Sequence, residues 1–129
     1  MAKKIFLTGS FDIIHPGHVQ FLKYAREFGD SLTVAIDTDR RIKEKKGPDR
    51  PFHNQADRQL VISSFKYVDN TVLFDSDEEL IEIVKALQPD VWFAGTDWLG
   101  KHFPGKEYAG SVKYFDRIKP HSTTRILER

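Results

Sequence analysis

The run "GSFDIIHPGH", residues 9–18, puts Asp12, His15 and His18 beside two glycines and a proline. The chain has five histidines, and two of them stand three residues apart at a turn that leads toward a helix. Metal ligation, a packed turn and phosphate binding all fit such a cluster. Gly9 allows close backbone approach. Pro16 can open a helix, because its missing N–H costs nothing there. The free N–H groups and positive dipole end of that helix attract anions. His15 then falls just before the first turn and His18 within it, so both imidazoles can point at a held anion. Ser10 adds a hydroxyl donor. Imidazole N–H groups beside a polyphosphate neutralise charge that develops in a transition state. In the plainer reading, His15 caps the helix and His18 packs. A zinc site needs more ligands, and only His53, His102 and His121 remain among the histidines, with Asp12 as a further candidate.

Composition narrows the classes. At 129 residues with 40% hydrophobic content, including ten Phe, the chain is expected to form one domain over 1–129 with a real core. A net charge of +1 argues against a nucleic-acid polymer as partner. Basic residues still cluster between Arg40 and Arg50 and again near the C-terminus, which suits a small anionic ligand. The absence of cysteine excludes disulfides, thiolate zinc sites and cysteine nucleophiles. "MAKKIFLTG" has too short an apolar run for a secretory leader, and no run approaches the ~20 residues of a membrane span. A soluble, cytoplasmic protein without a membrane partner is expected.

Strands and helices must position the cluster. "KIFLTG" reads as a buried strand ending in glycine. A helix follows from Pro16, with Val19, Leu22, Tyr24 and Ala25 at helical spacing and Gly29 as its stop. "SLTVAID" is a second strand. "TDRRIKEKKGPDRPFH" is polar and carries Gly47, Pro48 and Pro51, so it reads as a loop after one helical turn. Asn54 can cap a helix through "QADRQLVISSF", with Leu60, Val61, Ser64 and Phe65 on one face. "NTVLF" is a third strand. Asp77 is placed as the cap of "EELIEIVKAL", whose Leu80, Ile81, Val84 and Leu87 form an apolar stripe that Pro89 ends. "DVWFAG" is a fourth strand, "SVKYFD" a fifth and "STTRILER" a closing helix. The alternation implies an α/β fold: a mostly parallel five-stranded sheet with helices on both faces. Such sheets bind ligands beyond the carboxyl ends of their strands, and "GSFDIIHPGH", "DTDRR", "DSDE" and "GTDW" all stand there.

"GSFDIIHPGHVQFL" resembles the signature of the HIGH-motif nucleotidyltransferase superfamily, in particular its small cytidylyltransferase-like branch. "HPGH" stands where that family has H-x-G-H, and "GSFD" where it has G-T-F-D or G-C-F-D. "GDSLTVAIDTD" and "STTRILER" extend the likeness along the chain. The resemblance implies a single Rossmann-like nucleotidyltransferase domain. It would move a nucleotidyl group from a nucleoside triphosphate to a small phosphate monoester and release pyrophosphate. By the same resemblance His15 and His18 stabilise the transition state, and a lysine of "KEKKG", Lys46 or else Lys45, closes over the phosphates. Gly9, Ser10 and Phe11 hold phosphate oxygens, and Asp12 orients the loop or assists a metal. Ser122, Thr123 and Thr124 present hydroxyls to the β and γ phosphates, while Asp97 and Arg117 join the nucleotide site. Arg58 is implied to bind the acceptor phosphate, with a surface salt bridge as its plain alternative. Asp37 and Trp98 complete the substrate side. Mg²⁺ is the expected cofactor, because a triphosphate must be partly neutralised as pyrophosphate departs; the resemblance also implies a homodimer, and the helix after Asn54 is the expected contact.

The substrate signatures are mixed. "GTDWLGK" and "KYVD" are similar to glycerol-3-phosphate cytidylyltransferases, whereas "KGPDRP" resembles the K-G-P-x-R-P of heptose-phosphate adenylyltransferases. "RIKPHSTT" departs from the usual R-T-E-G-I-S-T-T. The balance expected from sequence is CTP with glycerol 3-phosphate. ATP with a sugar phosphate, a nucleotide-binding module without turnover, and a zinc hydrolase stand as alternatives.

Overall fold

The computed structural model describes residues 2–14, 16–95 and 99–115. Five strands form one sheet: β1 (Lys4–Gly9), β2 (Ser31–Asp37), β3 (Asn70–Phe74), β4 (Val91–Gly95) and β5 (Ser111–Phe115). Four α-helices connect them: α1 (Pro16–Arg26), α2 (Asp39–Lys46), α3 (Gln55–Ser63) and α4 (Asp77–Leu87). The sheet order is β3-β2-β1-β4-β5, and every neighbouring pair is parallel. The expected α/β fold with a Rossmann-like sheet is present, and all five strands run the same way.

The strand pattern explains how two faces are filled. Side chains alternate across a strand, so Ile5 and Leu7 of β1 enter one core while Phe6 enters the other. The first core packs Phe21, Leu22 and Ala25 of α1 and Ile62 of α3 on Leu32, Val34, Ile36 and Phe93. The second packs Leu80 and Val84 of α4 on Phe6, Phe74, Trp92 and Phe103. Complete burial of a side chain such as Phe21 contributes about 1.5–3 kcal/mol. No helix among the described residues is long and apolar enough to cross a membrane.

The structure corrects the sequence expectation at four points. Residues 39–46, expected as a loop, form α2. The Thr38 side chain accepts from the Arg41 N–H, Asp39 lies in the first turn, and Lys43, Lys45 and Lys46 lie in the last. These charges complement the helix dipole at both ends. Gly47 takes φ 102°, a conformation L side chains rarely adopt, and so ends the helix. On α3 the expected face is largely turned outward, and of its members only Phe65, just past the helix end, packs on the first core. Leu60 and Val61 are 65% and 44% exposed, while Arg58 and Ile62 point inward. On α1, Phe21 takes the core position expected of Val19, and Tyr24, 41% exposed, packs its ring against Phe28, Phe93 and Phe115 at the edge of the core. The cap of α4 is Ser76, whose side chain accepts from the Glu79 N–H, and Asp77 is the first helical residue. Asn54 caps α3 as expected.

Candidate active site

The chain leaves β1 toward β2 on one side and returns to β4 on the other, so β1/β4 is the switch point of the sheet. Parallel sheets leave a crevice there. A cavity of about 600 Å³ lies beyond the carboxyl ends of the strands, lined by Thr8 and Gly9 of β1, Asp37 of β2, Phe74 of β3 and Gly95 of β4. Ser10, with Gly17 and His18 of α1, lines it on the helix side. Lys45 and Lys46 close it from the last turn of α2. The two ends of this arrangement touch, because Lys46 Nζ donates to Ser10 Oγ at 3.4 Å. Gly9, Ser10, His18, Asp37, Lys45 and Lys46, expected from sequence at one site, are thus brought together. His15, Asp97, Trp98, Arg117, Ser122, Thr123 and Thr124 lie outside the described residues.

Phe11 and Asp12 are not cavity walls but supports. Phe11 is buried with φ 51°, and its ring meets the half-buried His18 imidazole edge-on at 5.6 Å. A Cβ at Gly9 would stand 2.7 and 2.9 Å from two carbons of that ring, so the close approach Gly9 permits is that of Phe11. Asp12 is 8% exposed and accepts three hydrogen bonds. The Phe52 and His53 amides donate at 2.8 and 2.9 Å, and Arg50 Nη1 at 3.3 Å. Burial works against the charge of Asp12. The His53 and Phe52 amides, the Arg50 side chain and the nearby Arg58 charge outweigh it and hold the carboxyl below its ordinary value. Both carboxylate oxygens are engaged, so the geometry fits Asp12 as the anchor between the first loop and residues 50–53 and leaves little of it for a metal.

Arg58 requires a correction. It was expected to meet an acceptor phosphate, yet it is 1% exposed. Its Nε donates to the His53 carbonyl at 2.9 Å, and its Nη1 to the carbonyls of Ser10 and Asp37 at 2.8 and 2.7 Å. Its Nη2 pairs with Asp39 Oδ1 at 2.8 Å. One guanidinium therefore braces the loop after β1, the end of β2, the start of α2 and the start of α3. Burial of that kind is stable only when nearly every donor is satisfied, and four of the five N–H groups of Arg58 are spent on the protein.

Sequence reasoning missed Arg41, Asp77, His102, Phe103 and Pro104, all of which line the cavity. Arg41 Nε donates to Asp37 Oδ2 at 3.1 Å, from the first turn of α2 back to the end of β2. His102 entered only as a remaining candidate for a zinc site, and nothing in the sequence marked Phe103 and Pro104, which approach the cavity from beyond β4.

A parallel 3-2-1-4-5 sheet whose first strand runs into a histidine-bearing helix start, faced by lysines from another helix end, defines the class: an α/β nucleotidyltransferase domain. The chain belongs to the cytidylyltransferase-like family, whose model it matches over residues 6–129. It is 39% identical over 125 residues to the bifunctional protein HldE of Campylobacter fetus subsp. fetus and 42% identical over 127 residues to that of Campylobacter concisus. These matches cover 97% and 98% of the chain but 27% of either relative, so the chain spans about a quarter of the length of the curated relatives it matches. Among solved structures it resembles a lipopolysaccharide core biosynthesis protein from Thermoplasma volcanium in fold, with a TM-score of 0.72 at 24% identity over 90% of this chain and 98% of that one.

Proposed function

We propose that this domain transfers an adenylyl group from ATP to the phosphate of a sugar phosphate of the heptose type and releases pyrophosphate. The observation that carries the reading is its likeness, across nearly the whole chain, to HldE proteins, whose domain of this kind is a heptose-phosphate adenylyltransferase. This reverses the balance expected from sequence, which favoured CTP and glycerol 3-phosphate. The run from Lys46 to Pro51 agrees with the revised reading, and its positions have clear physical roles. Gly47 ends α2 directly after the lysine, and Arg50 joins the anchor on Asp12.

In the proposed reaction an oxygen of the acceptor phosphate attacks the α-phosphorus in line. A new P–O bond forms as the α–β bridging bond breaks, and pyrophosphate leaves with the electron pair. The protein has to position the groups and neutralise the growing charge. His18 and Lys46, which line the same cavity as Ser10, are suited to that task, with Lys45 also on its wall. The family resemblance assigns His15, Asp97, Trp98, Arg117, Ser122, Thr123 and Thr124 to the same nucleotide and its acceptor. Mg²⁺ is proposed to come bound to the triphosphate and to supply further charge neutralisation. Among the described residues no three His, Asp or Glu side chains gather into a metal cage. The wall carboxylates Asp37 and Asp77 both face Arg41.

The test is pyrophosphate release from each of ATP, CTP, GTP and UTP with heptose 1-phosphate, hexose 1-phosphates and glycerol 3-phosphate. Fastest release from ATP with heptose 1-phosphate is the expected result. Faster release from CTP with glycerol 3-phosphate would overturn it, and nucleotide binding without turnover on any acceptor would make the domain a binding module.

A further inference from the structure

The loop after β1 holds one bulky residue in a left-handed backbone conformation. Phe11 has φ 51°, a region where the Cβ of an L residue crowds the main chain. Such strain persists only where the surrounding structure over-determines it. Both neighbours of Phe11 are clamped. The Ser10 carbonyl accepts from Arg58 Nη1 at 2.8 Å, and the Asp12 carboxylate accepts from the Phe52 and His53 amides and from Arg50. The loop is therefore fixed on either side of the strained residue.

The strained conformation turns the Phe11 ring inward, where it joins the first core with Phe21 and Ile62. The His18 ring meets it with 5.6 Å between centroids and 64° between planes, an edge-to-face arrangement that aromatic rings favour. His18 is half-buried and also lines the cavity. The imidazole thus touches both a ring fixed in the core and the space a ligand would fill. A side chain on the first turn of a helix can choose among staggered rotamers, and the ring contact favours the one that keeps it. Packing alone needs no left-handed residue, since a core phenylalanine can stand on ordinary backbone. The strain is accounted for by where the ring must lie: against His18, over the space that Gly9 leaves open.

We propose that Phe11 is a positioning residue whose ring, set by its left-handed backbone, holds the His18 imidazole in the single rotamer that serves the reaction. The part that His18 plays in the chemistry rests on the adenylyl-transfer reading above; the contact between the two rings does not. The ring itself touches no substrate, and its work is separate from the main-chain contacts to phosphate that the resemblance gives to residues 9–11. A donor to a growing charge acts fully only when it is held close to its productive position.

The first test reads the rotamer and needs no turnover. Three-bond NMR couplings to Cγ of His18 report its χ1 angle in the wild type and in Phe11→Leu, with thermal melts as a control on folding. One staggered rotamer in the wild type and an average over rotamers in the variant are the expected result. If Phe11→Leu melts too early, Gly9→Ala takes its place, because the new Cβ would stand 2.7 Å from Phe11 Cε2 and must displace that ring. The second test is a double-mutant cycle on pyrophosphate release at saturating ATP and heptose 1-phosphate. Phe11→Leu lowers kcat about tenfold by misplacing the imidazole. In the His18→Ala background the same change alters kcat less than about twofold, because its effect passes through His18. A merely structural role gives the tenfold loss in both backgrounds. Averaged couplings in the wild type, a single rotamer kept in the variants, or a loss that persists without His18 would each overturn the proposal. A wild type that releases no pyrophosphate from any nucleotide would refute the proposed function, and the couplings would still decide whether Phe11 holds the imidazole.

Discussion

Replacing Arg58 separates two roles that look alike in the sequence. Arg58→Met keeps the length and the apolar stem while removing every donor. Three carbonyls, those of Ser10, Asp37 and His53, then lose their guanidinium partner, and Asp39 loses its ion pair. An orphaned buried acceptor costs about 1–3 kcal/mol, and breaking a buried pair about 3–5 kcal/mol. These losses fall on one cluster and do not add, so the expected destabilisation is about 3–5 kcal/mol. That is about a fifth or more of the stability of a native domain, which totals about 5–15 kcal/mol. With a urea slope of about 2 kcal/mol/M, the unfolding midpoint drops by about 1.5–2.5 M. The assay is urea unfolding followed by tryptophan fluorescence, paired with acceptor KM on the protein that remains folded. A midpoint within about 0.5 M of wild type, together with a raised acceptor KM, would show Arg58 on the substrate and refute the bracing argument.

Two further outcomes are expected. His18→Ala keeps its melting temperature within a few degrees and lowers kcat by about 10²-fold, the scale for one lost transition-state donor; pyrophosphate release at saturating ATP measures it, and a wild-type rate would exclude His18 from the chemistry. Asp12→Asn loses about 1.5–3 kcal/mol at neutral pH, because hydrogen bonds to a charged acceptor are replaced by weaker ones. The carboxyl of Asp12 is lower in the folded chain than its ordinary 3.8, so its stabilisation is complete above that value and is lost as pH falls through the folded value. Urea unfolding from pH 7 down to pH 2.5 should therefore show the wild type converging on Asp12→Asn only in the acid limb; a constant gap would count against the anchor.

The strands were legible because a buried parallel sheet writes itself as short apolar runs, and β1, β2 and β3 begin and end where "KIFLTG", "SLTVAID" and "NTVLF" do. Where polarity was taken as a proxy for looseness, the reading failed. The helix α2 is almost wholly polar, and its true marks were the Thr38 cap and the charge gradient from Asp39 to Lys46. The outward turn of the expected α3 face has the same origin. Leucine and valine were assigned to the interior and arginine to water, but Arg58 is inside because backbone carbonyls from three segments converge on it. That convergence is a property of the folded chain and has no local signature. The first turn of the site was readable from its glycine, proline and histidines. The Asp37–Arg41–Asp77 contacts join the end of β2 to two helices and have no local signature.

Lys45 and Lys46 sit on the final turn of a capped helix, which changes the entropy of holding a ligand there. A lysine on an unstructured loop must give up about 1–2 kcal/mol of backbone freedom per residue when it closes on an anion, besides up to about 2 kcal/mol in its side chain. In α2 the backbone part was already lost when the chain folded, so only the side-chain part remains to oppose capture. Each catalytic cycle should therefore begin from two ammonium groups that are already within reach.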